Sequence, residues 1–233
     1  MRRRLSLVLA TSSAVAAALA LAAPAGAQRP RECFLLSNCT SVVGPWVVIP
    51  AANPIPIPAG VTVSCPDSGG ELQLAVGSDY ELTAGATPPP DVTRFMAGPG
   101  AGLLTGGSAP FFAVSFSRNA TSFRPHVGCT SRDSVPAAPV QAEPVHVLRT
   151  RELSLRPSRT VQRSHRCRSG ERLVRGVAGV LFHREAPPTA RELRDVTVSH
   201  RTGRRRVRAT VETGRRVGDH ERVTLQILAV CAR

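Results

Sequence analysis

Two pairs of cysteines with the same spacing constrain the fold of this chain more than any other feature. Cys65 and Cys129 lie 64 residues apart, and so do Cys167 and Cys231. This equal spacing predicts two disulfides, each of which closes one of two tandem modules. A bridge across a loop of this length stabilises a domain by roughly 4 kcal/mol in the chain-entropy model, which is a large part of its net stability.

The sequence around the cysteines supports the interpretation as a repeat. Residues 65–72 and residues 167–173 both open with cysteine and continue through Ser-Gly to Glu and Leu. The remaining cysteines, Cys33 and Cys39, bracket a short N-terminal segment and are predicted to pair with each other. Pairing of either one with a more distant cysteine is the alternative.

The first 27 residues have the features of an export signal. Three arginines at positions 2 to 4 precede an apolar run that extends to residue 23, and small residues at 25 and 27 suit a signal peptidase. We therefore expect cleavage before Gln28 and a secreted mature chain. A retained membrane anchor is the alternative, but the apolar run is near the short limit for a span. No second such run follows, so no transmembrane segment is expected in the mature chain.

Composition divides the mature chain into four parts. Residues 28–43 form a lead-in with the small cysteine ring, and residues 44–130 form module 1. Residues 131–144 are rich in proline and alanine and are predicted to be a linker, and residues 145–233 form module 2. Because proline-rich linkers are extended and semi-stiff, we expect the two modules to be spaced apart.

Both modules are predicted to consist of short β-strands. The clearest strand is the last one, in which every second residue from Val223 to Cys231 is apolar or small. This alternation turns Cys231 towards the core, and a bridge from an early strand to the last strand is typical of a sandwich. We therefore predict an all-β fold of two tandem immunoglobulin-like β-sandwich modules. Neither module has the tryptophan expected beside an immunoglobulin bridge, so the prediction concerns architecture and not family membership.

Two strand positions conflict with a simple sandwich. Pro125 lies in a predicted strand that ends at Cys129, and its missing N–H predicts a sheet edge or a bulge. If Cys167 points inward, alternation turns Arg163 and His165 inward as well. That arrangement requires a bulge or an exposed edge at this strand.

Positive charge is concentrated in module 2. All 30 basic residues are arginine, and the formal net charge is +14. Residues 28–144 contain six arginines against eight acidic residues, whereas residues 145–233 contain 21 arginines against eight. Both halves come from one gene, so codon usage does not explain the difference. Such a concentration attracts polyanions, because guanidinium groups bind phosphate and carboxylate in a forked geometry.

The arginines of module 2 surround Cys167 and two predicted turns. The candidate polyanion-binding residues are Arg166, Arg168, Arg172, Arg204, Arg205, Arg206, Arg208, Arg215 and Arg216. Because consecutive turns lie at opposite ends of a strand, these residues need not form one surface, and a solvated cationic exterior is the alternative reading. The one aromatic residue of module 2 is Phe182, so sequence-specific recognition of nucleic acid is not expected.

The signal segment, the Pro-Ala-Gly lead towards Cys65 and the Leu-Ala-Val-Cys ending give the chain a recognisable pattern. In this it resembles exported proteins of high-GC Gram-positive bacteria that carry tandem cysteine-bracketed β modules. Abundant Ala, Gly and Pro with no lysine are typical of a GC-rich genome. This resemblance implies no activity.

The sequence contains no motif of recognisable catalytic or metal-binding chemistry, and no cofactor is expected. The nearest candidate nucleophile is Ser108 in the glycine-rich loop 98–110, with His126 as the one histidine of module 1. The favoured interpretation is a secreted, non-enzymatic protein that contacts anionic cell-envelope or extracellular polymers through module 2. A secreted hydrolase that uses loop 98–110, and a structural surface or coat protein, are the alternatives.

Overall fold

The computed structural model describes residues 31–33, 38–52, 55–67, 73–83, 107–134, 146–217 and 222–232. Most of these residues lie in antiparallel β-strands, which confirms the prediction of an all-β fold. The predicted signal peptide, loop residues 98–106 and linker residues 135–144 lie outside the described residues.

In the first half of the chain, residues 31–134, a three-residue 3-10 turn stands at each end, at Arg31–Cys33 and Arg132–Ser134. The strands between them are β1 (Cys39–Val43), β2 (Trp46–Ile49), β3 (Ala59–Ser64), β4 (Gln73–Leu82), β5 (Ser108–Ala113) and β6 (Thr121–Ser131).

The second half, residues 146–232, adds one short helix, α1 (Ala190–Arg194), with a capping box formed by Thr189 and Glu192. Its strands are β7 (His146–Ser154), β8 (Arg159–Arg166), β9 (Arg172–Phe182), β10 (Val196–Thr202), β11 (Arg206–Thr213) and β12 (Val223–Ala232).

A single central sheet runs through both halves. β6 pairs with β4 along one edge and with β1 and β2 along the other. β2 pairs in turn with β9, so that Trp46 lies opposite Phe182 and Val47 opposite Leu181. The sheet then continues from β9 to β12 and β7. The expectation that the modules are spaced apart is therefore wrong, because strands of the two halves are hydrogen-bonded to each other.

Two smaller sheets cover opposite faces of the central sheet. As a result, β12 of the central sheet is buried along its whole length. Leu225 and Ile227 share a core with the three-stranded sheet, whose order is β10–β11–β8. On the opposite face Leu228 packs with Phe112 of the two-stranded sheet β3–β5. Also on this face, the Gln226 side chain accepts a hydrogen bond from the backbone N–H of Thr62 at 2.6 Å.

The structure contains the three disulfides that the cysteine spacing predicts. They join Cys33 to Cys39, Cys65 to Cys129 and Cys167 to Cys231, with Cα–Cα distances of 5.4, 5.7 and 5.8 Å. The two long-range bridges each link the residue that follows a strand of a smaller sheet (β3 or β8) to a strand of the central sheet (β6 or β12). Each bridge therefore holds one small sheet against the central one.

The two halves pair their strands in the same way. In the first half β1 pairs with β6, β3 with β5 and β4 with β6; in the second half β7 pairs with β12, β8 with β11 and β9 with β12. Ala75 lies opposite Cys129 and Leu173 opposite Cys231, and in both places the register shifts by one residue immediately afterwards. The bulged residues are Val76 and Val174.

Pro125 does not lie at a sheet edge, because β6 has partners on both sides. Val43 lies opposite His126 and Val47 opposite Phe123, so the β1–β2 side carries one extra residue here, in agreement with the other predicted possibility, a bulge. The Pro125 carbonyl accepts a hydrogen bond from the N–H of Gly44 at 2.8 Å, so its missing N–H faces the gap between β1 and β2. The Gly44 carbonyl accepts a hydrogen bond from Nε of Arg124 at 3.1 Å instead, so it is not left without a donor. Gly44 fits the gap because a Cβ on it would lie 2.7 Å from the Pro125 ring.

The conflict at β8 is resolved by an exposed edge, one of the two solutions that the sequence allowed. β8 is the outer strand of the three-stranded sheet. Arg163 consequently reaches solvent, and His165 is half-buried.

We predict that Trp46→Ala destabilises both halves together. Trp46 belongs to a strand of the first half, but its ring lies in the core of the second half. Its indole N–H donates to the carbonyl of Glu185 at 2.9 Å. Loss of the ring should lower the free energy of unfolding by about 3–5 kcal/mol. Urea denaturation followed by circular dichroism measures this, and Phe116→Ala, at an exposed ring, is the control. If Trp46→Ala reduced amide-exchange protection in the first half alone, this result would contradict a shared core.

We also predict that Gly179→Ala loosens the contact between the central and two-stranded sheets. A Cβ on Gly179 would lie 2.5 Å from the carbonyl oxygen of Gly60, whereas a Cβ on Gly203 would come no closer than 3.8 Å to its neighbours. The first substitution should lower the free energy of unfolding by about 1–3 kcal/mol through overpacking. Gly203→Ala is the matched control, and equal effects in the two variants would show that the layers are not in close contact at Gly60.

Candidate anion-binding site

Two turns that are distant in the sequence meet at one end of the second half. The first connects β8 to β9 and the second connects β10 to β11. β8 and β11 are antiparallel neighbours, so Arg166 at the end of one lies opposite Arg206 at the start of the other. The turns are also joined directly, because the N–H of Cys167 donates to the carbonyl of Arg205 at 2.9 Å.

Five of the predicted arginines surround one cavity at this end, which we call the arginine pocket. Its volume is about 1020 Å³, and it is also lined by Cys167 and Ser169. The arginines are Arg166, Arg168, Arg204, Arg205 and Arg206. No acidic residue of the described chain lines the pocket, so the field of the five guanidinium groups is not balanced within it.

A second cavity of about 400 Å³ continues from the arginine pocket. It shares Arg204 and Arg205 with that pocket and adds Arg172, another of the predicted residues. Glu171 lies here, but its carboxylate is already paired: Arg149 of β7 donates to it through Nε at 2.9 Å. The acid therefore neutralises Arg149 and leaves the other arginines available to an anion.

Glu171 also holds the β8–β9 turn in shape. Its carboxylate accepts a hydrogen bond from the backbone N–H of Arg168 at 2.8 Å, and its own N–H donates to the Arg168 carbonyl at 3.2 Å. Gly170 between them has a φ of 81°, which glycine adopts without strain. A guanidinium N–H of Arg205 also donates to the Arg168 carbonyl. These bonds fix the backbone that carries Arg168 and Ser169.

Arg208 extends the positive surface from the pocket along the outer face of the three-stranded sheet. It lies opposite Arg201 and two residues beyond Arg206, on the same face of β11. Successive residues on one face of a strand are about 7 Å apart, so Arg206 and Arg208 form a continuous row. Seven of the nine predicted arginines thus lie at this end or beside it.

The other two predicted arginines are not part of this surface. Arg215 and Arg216 follow the opposite end of β11, and the Arg216 guanidinium lies 3.9 Å from the carboxylate of Asp195. Their position agrees with the expectation from the sequence that consecutive turns lie at opposite ends of a strand. The turns at 167–171 and 203–205 share an end because their strands are neighbours.

The histidines of the three-stranded sheet do not contribute charge at neutral pH. Burial lowers the pKa of His165, and the nearby Arg151 and Arg149 lower it further. Burial also lowers the pKa of His200. Both shifts favour the neutral ring, so arginine supplies the positive potential of this end at neutral pH.

The serine and the histidine considered for catalysis lie in different sheets of the described chain. Ser108 begins β5 in the two-stranded sheet, whereas His126 lies in the central sheet, 3.8 Å from a carboxylate oxygen of Glu32. Trp46 and Phe111 are buried in the cores. Cys167, Cys231 and Glu171 lie close enough to share a metal ion, but the two sulfurs are joined in a disulfide and offer no thiolate.

No protein-family model, curated protein or solved structure matches this chain. None of the helices within the described segments has the length and apolar character needed to cross a membrane.

Sequence reasoning missed two parts of the site. The Arg149–Glu171 pair joins residues that are 22 positions apart, and nothing local in the sequence connects them. The uncharged side chains beside Arg208 on the outer face, Gln162, Ser199 and Thr210, were also missed. These side chains could have been predicted, because the alternation in β8, β10 and β11 indicates which residues share a face with the arginines.

We predict that Glu171→Gln reduces stability at neutral pH but not in strong acid. The hydrogen bond from Arg149 holds the pKa of the Glu171 carboxyl well below its usual range, at about 2. A lowered pKa in the folded state stabilises the fold above the unfolded pKa of about 4.3, and this contribution is lost as the pH falls towards 2. Urea unfolding at pH 7 and at about pH 2 should give curves that differ at neutral pH and approach each other in acid. Asp133→Asn, at an exposed acid, is the control, and a difference independent of pH would contradict this role.

Proposed function

We propose that this protein is a secreted, non-enzymatic binder of anionic polymers and that the arginine pocket, with Arg172 and Arg208, is its contact site. The observation that carries the proposal is that two distant turns and the strands beside them bring seven arginines together at one end of the molecule, with no free carboxylate among the described residues that line the pocket. Arginine is suited to this role because its planar fork matches phosphate, sulfate and carboxylate groups.

The energetics of the unbound surface support a binding role. Arg166 lies directly opposite Arg206, and Arg201 lies directly opposite Arg208. Like charges at such positions destabilise a sheet, and a structural role alone does not call for them. An anion between the side chains converts this repulsion into attraction. The surface therefore gains more from a polyanion than scattered arginines would.

Export is part of the same proposal. Three disulfides persist in oxidising compartments, and the first 27 residues carry the features of a cleaved signal peptide. Outside the cytoplasm the protein meets anionic envelope and extracellular polymers. Electrostatic attraction at long range then increases the rate of encounter.

We also propose that the two halves are copies of one immunoglobulin-like module that have merged through a shared sheet. The support is the matching strand pairing, the equal position of the two long-range disulfides and the bulge that follows the residue opposite Cys129 and Cys231. In this interpretation the second copy carries the binding surface and the first copy supports its core.

We predict that Arg205→Ala/Arg206→Ala weakens binding of heparin much more than Arg215→Ala/Arg216→Ala does. Each variant removes two consecutive arginines at one end of β11, so the net charges of the two variants are the same. The first should lose at least about tenfold in affinity, the effect of one lost charge-assisted contact, and the second less than about threefold. Fluorescence titration at several salt concentrations measures both affinity and the number of contacts.

The salt dependence provides a second criterion. Each lost contact should reduce the slope of log affinity against log salt by about one. Equal weakening in both double variants would show that net charge, and not the arginine pocket, attracts the polymer. Absence of binding at low salt would refute the proposed function altogether.

A further inference from the structure

The outward-facing side chains of the three-stranded sheet form an ordered polar surface next to the arginine pocket. The cross-strand registers place these side chains in four rows. From the far end towards the pocket the rows are Thr197–Glu212–Thr160, Ser199–Thr210–Gln162, Arg201–Arg208–Ser164 and Arg206–Arg166.

No side chain in these four rows is apolar or aromatic. The row next to Arg201 and Arg208 consists of two hydroxyl groups and one amide, and the amide of Gln162 donates to the hydroxyl oxygen of Thr210 at 3.3 Å. These groups line a cavity of about 290 Å³ together with His200, Arg201 and Arg208. The cavity therefore presents uncharged donors and acceptors within one strand repeat of a guanidinium row.

The opposite end of this surface carries a negative charge. Glu212 lies two residues beyond Thr210 on the same face of β11 and is the one acidic residue in the four rows. Its carboxylate repels an anion that extends past Thr210. The surface thus has a positive end, an uncharged middle and a negative limit.

This order of groups restricts the kind of anion that fits. A nucleic acid would have no aromatic ring on which to stack its bases. A polymer with charged groups alone would use the arginines but leave the hydroxyl and amide row without a partner. A chain that carries hydroxyl groups as well as anionic groups satisfies both rows.

We propose that the ligand is a hydroxyl-bearing polyanion, a saccharide or polyol chain with sulfate, phosphate or carboxylate groups, whose anions bind the arginine pocket and Arg208 and whose hydroxyls bind Thr210, Ser199 and Gln162. This inference rests on the proposed function, because it names the class of polymer that the same site takes.

The test compares three polymers on the full oxidised mature chain at one ionic strength. Heparin carries sulfate on a saccharide, poly(glycerol phosphate) carries phosphate on a polyol, and poly(vinyl sulfonate) has the charge without hydroxyl groups. Thr210→Val removes the central hydroxyl and keeps a β-branched side chain. It should weaken binding of at least one hydroxyl-bearing polymer about three- to tenfold, as expected for one hydrogen bond, and leave binding of poly(vinyl sulfonate) unchanged.

Thr160→Val is the matched control, because Thr160 is an exposed threonine on the same face, next to Glu212 and away from the cavity. It should bind all three polymers as the unaltered chain does. Gln162→Ala, at an exposed position of the edge strand, provides a second variant that removes a proposed contact if Thr210→Val disturbs the fold. Circular dichroism establishes that each variant is folded.

The outcomes separate this inference from the proposed function. A loss with heparin alone supports a sulfated saccharide, and a loss with poly(glycerol phosphate) alone supports a polyol phosphate. If the unaltered chain binds all three polymers equally and neither Thr210→Val nor Gln162→Ala changes this, the inference is wrong while the proposed function stands. If none of the polymers binds, the proposed function fails first.

Discussion

The position of β2 between two partners is the constraint on which the rest of this structure depends. β2 is hydrogen-bonded to β6 of its own half and to β9 of the other half. Its four residues are all buried, and they alternate between two cores: Trp46 and Val48 belong to the core of the second half, Val47 and Ile49 to that of the first. Neither core closes without this strand, because opposite faces of the same backbone complete different halves.

The location of the arginine surface follows from this arrangement. The central sheet fixes β9 and β12, the Cys167–Cys231 bridge ties the end of β8 to β12, and the three-stranded sheet packs on that face. The turns at the end of this sheet project beyond the core, so their arginines are exposed without disturbing the packing beneath them. The inward face of β11, with Val207, Ala209 and Val211, supplies the core contacts, and its outward face supplies the charge.

Features encoded by local periodicity were predictable from the sequence, and features that depend on which strands become neighbours were not. The spacing of the cysteines and the alternation of β12 gave the disulfides and the orientation of Cys231. The residues Trp-Val-Val-Ile of β2 indicate burial on both faces but do not identify the partner, so the shared sheet was missed. The sequence left an edge and a bulge open at Pro125, because the irregularity between β1 and β2 that decides between them lies some 80 positions away in the chain. The separate arginine clusters were visible, but their meeting depends on the pairing of β8 with β11.

The exposed strand at one side of the three-stranded sheet has a consequence for how copies of this protein meet. No strand of the described chain pairs with the outer edge of β8, and in many sheet proteins such an edge invites another strand to add itself and start aggregation. Arg159, Arg163 and Arg166 are spread along it, and Arg163 is on the face that would have to be covered. A second copy approaching this edge would bring the same arginines with it. Mutual repulsion therefore opposes the pairing of two copies through this edge, so the same charge that we propose to attract polyanions also protects the open strand.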